Sequence, residues 1–134
     1  MQLVSEIDNV IRHYNINTLI THYVNDTNQA HREVAQAVIA AGRKINNILM
    51  IEPVPPASRG WVPFRPQLYV DISDVIDIKM KSLYSYASQI EKFGSEWVEG
   101  VFARSKMRGW EIGTSHAEVF EIVRLKYDNS FNGS

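Results

Sequence analysis

The chain has 134 residues, of which 45% are hydrophobic and 22% charged, and its formal net charge is −1. These values are typical of an ordinary globular protein, so residues 1–134 are predicted to form a single domain. A net charge near zero provides no electrostatic basis for binding nucleic acid or an anionic membrane surface. The chain has no cysteine, which excludes disulfides, thiolate zinc ligands and a cysteine nucleophile.

The N-terminus does not resemble a signal peptide, and no apolar run is long enough to span a bilayer. A cytoplasmic location is therefore expected.

The first predicted elements are a helix and a strand. Apolar residues recur at helical spacing from Leu3 to Tyr14, with charged residues on the opposite face, which indicates an amphipathic helix. The short apolar run Thr18–Thr21 follows as a buried strand. A helix directly before a buried strand is typical of the crossover in a βαβ unit.

A polar loop over 22–28 connects this strand to a second helix, predicted over 27–44 with Asp26 or Thr27 as its cap. The apolar run 47–52 then predicts a second strand. Open α/β folds place their ligand sites where a strand ends in a loop that leads into a helix N-terminus. The loop over 22–28 is therefore the expected position of a functional site. The residues predicted to face inward from the second helix are Val34, Val38, Ala41 and Ile45.

All five prolines lie between Pro53 and Pro66, which predicts a loop, because proline cannot serve a central strand. A loop of this length is usually a lid or a binding rim.

The C-terminal half is predicted to contain a strand over 68–72 and a long helix from Ser73 or Asp74 to Gly94. A further helix starts after Ser95. The alternating residues 118–127 predict a final strand near a sheet edge, and 128–134 a frayed tail. Together these elements predict an α/β fold, a partial Rossmann-like three-layer arrangement of about four strands with flanking helices.

His31 is the main chemical candidate. It is expected in the first turn of a helix, behind a loop that carries His22, Asp26 and Asn28. Imidazole is a common zinc ligand, and a nearby aspartate, asparagine or histidine could complete or orient a site. A capping or solvent-exposed histidine would give the same pattern. His116, in the loop before the last strand, could face a pocket or be an ordinary loop residue.

Three collinear stretches carry a family resemblance. They are THYVNDTNQAHREV (21–34), FRPQLYVDISDVIDIKMKSLYSYASQ (64–89) and FARSKMRGWEIGTSHAEVFEIVRL (102–125). Together they resemble the C-terminal part of the PIG-L (LmbE-like) family of zinc-dependent N-acetylglucosaminyl deacetylases. Each stretch alone is loosely similar, but the set covers most of the chain and is fairly specific.

The resemblance implies metal-assisted amide hydrolysis, in which zinc held by two histidines and an aspartate polarises the acetamide carbonyl and a neighbouring aspartate acts as general base. By position, His31 resembles the distal zinc histidine. Asn28 stands where many members have a histidine that supports the oxyanion, which makes it the catalytic candidate. The residues implied in substrate binding are His22, Tyr23, Asp26, Arg59, Arg65 and His116.

The sequence also departs from the family pattern. The family's first strand ends in a His-Pro-Asp-Asp motif, which supplies the other zinc ligands and the general base, and these 134 residues contain no such motif. Ala30 replaces the acidic residue usual before the metal histidine, and His116 stands where a tyrosine is common. The resemblance therefore implies that zinc is weakly bound or absent in the isolated chain, and that the chain alone is not a competent deacetylase.

Three interpretations follow. In the first, the chain is the C-terminal portion of a zinc N-deacetylase whose site needs an N-terminal half. In the second, it is a non-catalytic remnant of that fold that forms a homo-oligomer or binds a small ligand such as an amino sugar. In the third, it is an unrelated small binding domain, for which His31 should lie away from any strand-end cleft. None of the three involves a nucleic acid or membrane partner.

Overall fold

The computed structural model describes residues 1–128, so the predicted tail lies outside the described residues from position 129 onward. Five α-helices and four strands are described, with a short 3-10 turn at Ser73–Val75. The helices are α1 (Gln2–His13), α2 (Gln29–Ala41), α3 (Ile76–Tyr84), α4 (Ala87–Phe93) and α5 (Glu96–Ile112). The strands are β1 (Thr18–Thr21), β2 (Asn47–Ile51), β3 (Leu68–Asp71) and β4 (Ala117–Arg124). No helix within this range is long and apolar enough to cross a membrane.

The strands form one sheet in the order β1-β2-β4-β3. β1 runs parallel to β2, with Thr21 opposite Met50, and β2 runs antiparallel to β4, with Met50 opposite Glu121. The predicted α/β fold of about four strands with flanking helices is confirmed. The predicted edge position of the last strand is wrong, because β4 lies between β2 and β3. Its alternating sequence suggested one solvent-facing side, yet Val119, Phe120 and Glu121 are all buried.

By their internal contacts, the residues divide into two compact units. The first comprises Met1–Arg65 and the described part of Phe120–Ser134, and the second comprises Pro66–Val119. In the first unit, the end of α2 packs closely on the strands. A Cβ added at Gly42 would lie 2.7 Å from Leu19 Cδ1 and 2.9 Å from Ile48 Cδ1. Ile48 itself is fully buried, so the core of this unit lies between α2 and the sheet.

The start of α2 differs from the prediction. Its N-cap is Asn28, whose side-chain oxygen accepts a hydrogen bond from the Ala30 N–H at 2.9 Å. Asp26 lies before the cap and accepts from the Asn28 N–H at 2.7 Å. The helix therefore begins two residues later than predicted, because the Asp26 side chain holds the loop closed before the first helical turn.

The buried face of α2 agrees only in part with the predicted apolar stripe. Ala41 is buried as predicted, whereas Val34 is 37% exposed and the other buried positions are Ala35 and Ala37. Small alanine side chains allow the helix backbone to approach its neighbours closely.

In the second unit, the predicted long helix after Ser73 is interrupted. α3 ends at Tyr84 and α4 begins at Ala87. At the break, the Ser85 hydroxyl donates to the Ser82 carbonyl at 2.6 Å. A serine hydroxyl that bonds the local backbone competes with helical hydrogen bonding, which is consistent with a helix end here.

Candidate metal centre

Three side chains with metal-binding atoms come together where β1 ends and α2 begins. His22 directly follows β1, Asp26 is buried in the loop, and His31 lies in the first turn of α2. One ligand atom from each of these residues lies within 4.8 Å of the others. The sequence predicted one metal ligand, His31, that a nearby histidine, aspartate or asparagine could complete or orient. In the structure, Asp26 and His22 both contact the His31 ring.

Asp26 holds the His31 ring in place. Its Oδ2 lies 2.9 Å from His31 Nδ1, and its Oδ1 accepts the Asn28 N–H. Arg32 donates to the Asp26 carbonyl at 2.8 Å and secures the same turn. With Nδ1 directed at a carboxylate, the ring's other nitrogen, Nε2, has no hydrogen-bond partner among residues 1–128 and can bind a ligand. Carboxylates orient metal-binding histidines in this way.

His22 stacks on His31. The two ring centroids are 4.0 Å apart and the ring planes differ by 1°. Burial lowers the pKa of His22 below its usual value of 6.5, the proximity of His31 lowers it further, and Asp26 opposes the shift. The neutral imidazole is therefore favoured, and it is the form that binds a metal ion.

The three residues fit a zinc ion in their chemistry. Two imidazoles are ligands that catalytic zinc takes, and the buried carboxylate of Asp26 is positioned to orient one of them. The parallel rings of His22 and His31 impose one condition on metal binding. An ion bound by an imidazole lies close to that ring's plane, and two stacked parallel planes cannot share one ion. His22 must therefore rotate away from His31 if both are to hold the same metal.

The proline-rich loop is fastened to the loop that follows β1. The Tyr23 hydroxyl lies 3.0 Å from the Pro63 carbonyl and 3.3 Å from the Val62 carbonyl, and its ring packs edge-on against Phe64. Tyr23 is only 3% exposed. This candidate rim residue thus anchors the loop from beneath and does not face solvent.

Thr27 provides a second attachment for the proline-rich loop. Its N–H donates to the Ala57 carbonyl at 3.0 Å and its hydroxyl donates to the Pro56 carbonyl at 3.1 Å. Beyond this attachment, Arg59 and Trp61 are exposed, and Trp61 is 94% exposed. The sequence prediction named Arg59 but not Trp61. A tryptophan in a proline-rich loop was the signal that could have identified it.

Arg65, at the end of the loop, pairs with Glu121 of β4. Glu121 Oε1 accepts from Arg65 Nε at 3.0 Å and Nη2 at 2.8 Å, and Oε2 accepts from the Arg65 main-chain N–H at 2.9 Å. Glu121 is 4% exposed, whereas the Arg65 side chain is 71% exposed. The sequence prediction missed Glu121, because a glutamate in an alternating strand is usually solvent-facing.

His116 belongs to the second unit and is held by a different set of residues. Its Nδ1 lies 3.0 Å from the Ser105 hydroxyl, which donates its own hydrogen to the Phe102 carbonyl at 2.6 Å. His116 Nδ1 must therefore carry the proton and donate to Ser105. With 9% exposure and a ring contact to Phe102, His116 fastens α5 to the segment before β4. Its assignment to substrate binding stays a prediction.

No protein-family model matches the chain, but solved structures do. The conserved protein TT1542 from Thermus thermophilus matches with a TM-score of 0.81 and 18% identity, over 99% of this chain and 63% of that one. GalB, the 4-carboxy-2-hydroxymuconate hydratase from Pseudomonas putida, matches with a TM-score of 0.73 and 18% identity, over 98% and 62%. The N,N'-diacetylchitobiose deacetylase from Pyrococcus horikoshii matches with a TM-score of 0.66 and 14% identity, over 91% and 51%.

These matches establish the fold, an α/β fold that this chain shares with the three proteins. A chitobiose deacetylase is among the structural neighbours, so the resemblance to the PIG-L family predicted from the sequence is supported. The chain spans 51–63% of the length of these three proteins. The interpretation as an unrelated domain expected His31 away from a strand end, whereas His31 stacks on the residue that directly follows β1.

Proposed function

We propose that this chain provides one side of the zinc centre of an N-deacetylase that acts on an N-acetylated amino sugar. The observation that carries the proposal is the Asp26–His31 pair, with His22 stacked beside it at the end of β1. The deacetylase among the structural neighbours supports this choice of reaction. His31 would bind the ion through Nε2, His22 would join it after rotating, and Asp26 would hold His31 in its binding orientation.

A bound zinc ion would polarise the amide carbonyl and activate water for hydrolysis. The chain's own residues would position the ion and the ligand around it. Asp26 would engage Nδ1 of His31 and so leave Nε2 to hold the ion. The proline-rich loop, fastened by Tyr23 and Thr27, would form the wall on which the sugar rests.

The general base would come from outside these residues. Asp26 is the carboxylate of the cluster, and both of its oxygens already accept hydrogen bonds, from Asn28 and from His31. A carboxylate engaged on both oxygens is poorly placed to take a proton from water. In this proposal the missing acidic group comes from a segment with a His-Pro-Asp-Asp motif, in the same protein or in a partner. A homo-oligomer is the other possible source.

The Asp26–His31 pair with His22 stacked beside it also favours a second candidate function, which is ligand binding without hydrolysis. In that case the cluster binds zinc and an amino sugar, and no base completes the site. The two candidates share the metal centre and differ only in the release of acetate.

The metal content of the purified chain tests the metal centre, which both candidate functions require. Wild type, His31→Ala and His13→Ala are loaded with zinc, dialysed and measured by mass spectrometry. His13 lies at the end of α1 and serves as the matched control. Because these residues supply only part of a zinc ligand set, we expect weak zinc binding in wild type and in His13→Ala, and weaker binding still in His31→Ala. Equal zinc content in wild type and His31→Ala would contradict both candidates. Acetate release from N-acetylglucosamine, measured after addition of a protein segment that carries a His-Pro-Asp-Asp motif, then separates hydrolysis from binding alone, because the first candidate takes its general base from such a segment.

A further inference from the structure

Helix α5 carries an apolar stripe on the face that it turns to solvent. The α5 stripe consists of Gly100, Ala103, Met107 and Trp110, whose spacing along the helix places them on one side. All four are exposed, Met107 by 56% and Trp110 by 79%. The opposite side of α5 packs within the second unit through its buried positions, which are Val98, Val101, Ser105 and Gly109. The α5 stripe is therefore not part of the core around this helix.

Gly100 has no structural reason within the described chain. A Cβ at Gly109 would lie 2.6 Å from the His116 nitrogen, so glycine is needed there for close packing. A Cβ at Gly100 would meet no atom of residues 1–128 within 4 Å. A glycine inside a helix nevertheless costs about 0.5–1 kcal/mol relative to alanine. Close approach of another molecule to the α5 backbone would explain why a glycine lies in the α5 stripe.

The α5 stripe is complementary to itself in the antiparallel direction. Its spacing reads the same from either end, and two small residues precede two large ones. A second, antiparallel copy of α5 that crosses near Ser105 places Trp110 opposite the partner's Gly100. The same arrangement places Met107 opposite the partner's Ala103. Each large side chain then fills the space above a small one, as well-packed helices require. A parallel copy would place Trp110 opposite Trp110 and leave a gap between the two glycines.

The charges beside the α5 stripe also match in this arrangement. Arg104 and Glu111 border it on one side, and in a symmetric antiparallel pair the same side of both helices meets. Arg104 and the partner's Glu111 then differ in level by about five residues, or about 7.5 Å along the axis. Helical side chains tilt towards their own N-terminus, so these two tilt towards each other. On the other side, Lys106 holds its Nζ 5.5 Å from the centroid of the Phe102 ring, which limits repulsion between the two copies of Lys106.

We propose that the exposed face of α5 is the interface of a symmetric dimer, in which two copies of this chain pack α5 against α5 in antiparallel orientation. The occupant is a second copy because both the sizes and the charges along this face match themselves in reverse. α5 has 17 residues and is about 25 Å long. A contact of this length is smaller than the about 800 Å² per partner of a standard stable complex. The dimer is therefore weak and depends on concentration. The proposal concerns the second unit alone and does not depend on the metal centre.

Sedimentation equilibrium of the full chain over a series of concentrations tests the association. The average mass of wild type should rise from 15.3 kDa towards twice that value as the concentration increases. Trp110→Ala should weaken the dimer at least about tenfold, because it removes the largest side chain of the contact. Trp61→Ala is the matched control, since Trp61 is 94% exposed in the proline-rich loop, and it should associate like wild type.

Two outcomes of the sedimentation experiment would overturn the proposal. A wild-type mass of 15.3 kDa at every concentration would exclude a second copy and leave a different molecule, or another part of the protein, as the occupant of this face. Equal association of Trp110→Ala and wild type would show that the chain associates through another surface.

Cysteine cross-linking tests the antiparallel register. The chain has no cysteine, so Ala103→Cys and Met107→Cys each introduce a single thiol. A disulfide needs Cα atoms within about 7 Å, and the proposed register brings position 103 of one copy opposite position 107 of the other. A mixture of the two variants should therefore cross-link faster under mild oxidation than either variant alone. Met107→Cys mixed with Ala40→Cys, an exposed position of α2, is the control and should cross-link no faster than Met107→Cys alone. A mixture of Ala103→Cys and Met107→Cys that shows no such increase would overturn the proposed arrangement.

Discussion

Asp26 and His31 lie 2.9 Å apart, Oδ2 to Nδ1, across the turn that leads into α2. The other oxygen of Asp26 accepts the Asn28 N–H, so a single buried carboxylate both closes the loop and orients the histidine. This relationship makes the start of α2 and the candidate metal centre interdependent.

Asp26→Asn should weaken zinc binding by about tenfold to a hundredfold, the usual loss when the carboxylate behind a metal-binding histidine is changed. Asparagine has one oxygen, which cannot serve both the Asn28 N–H and His31. Zinc affinity is measured by competition with a chromogenic chelator. Asp8→Asn, an exposed carboxylate of α1, is the control and should leave the affinity unchanged. Equal affinities in wild type and Asp26→Asn would show that Asp26 does not orient the ligand.

The pKa of His22 in the metal-free chain should lie below 6.5, because the ring is partly buried and stacked on His31. His31→Ala should raise this pKa, since it removes a nearby positive charge and exposes the ring. Asp26→Asn should lower it further, since it removes the negative charge that opposes the shift. The three values are measured by NMR titration of the imidazole resonances. A His22 pKa that falls in His31→Ala would contradict the assigned causes.

The lowered pKa of His22 also determines how the free energy of unfolding changes with pH. When the pKa of a histidine is lower in the folded state, the unfolded chain takes up the proton first as the pH falls. The contribution of His22 is therefore fully present above about pH 6.5 and is lost as the pH falls towards the folded-state pKa. We expect the free energy of unfolding of wild type, relative to His22→Gln, to decrease between about pH 7.5 and 5.5. Urea titrations at the two pH values measure it.

Tyr23→Phe should lower the free energy of unfolding by about 1 kcal/mol, because it removes the hydroxyl that serves two loop carbonyls but keeps the buried ring. Chemical denaturation monitored by circular dichroism gives the difference. Tyr14→Phe is the matched control, since Tyr14 is 70% exposed at the end of α1. Equal stability of Tyr23→Phe and wild type would mean that the loop is not anchored through this hydroxyl.

The sequence was most informative where local pattern decides structure. The predicted burial of β1 is wrong, because β1 is an edge strand and Ile20 is 57% exposed. The ends of β1, Thr18–Thr21, and the position of His31 in the first turn of a helix were predicted correctly. Both depend on residues that are close together along the chain. A strand followed by a polar loop and a helix is a strong local signal for a strand-end site.

The sequence could not show which distant residues meet. Arg65 and Glu121 are 56 positions apart, and only the strand register brings them together. The stacking of His22 on His31 depends on how the loop turns around Asp26, which the spacing of the histidines does not reveal. The interior position of β4 was missed for the same reason, because strand order depends on pairing between distant segments.

Two glycines of α5 should respond to alanine with opposite signs. A Cβ at Gly109 would lie 2.6 Å from the His116 nitrogen and 2.7 Å from the Ser115 carbonyl carbon, both backbone atoms that cannot move aside cheaply. Gly109→Ala should therefore cost about 2–3 kcal/mol of unfolding free energy. A Cβ at Gly100 meets nothing within 4 Å, so Gly100→Ala should stabilise the helix by about 0.5–1 kcal/mol. Thermal denaturation of both variants tests the pair, and a stabilised Gly109→Ala would show that α5 does not pack this closely against the segment before β4.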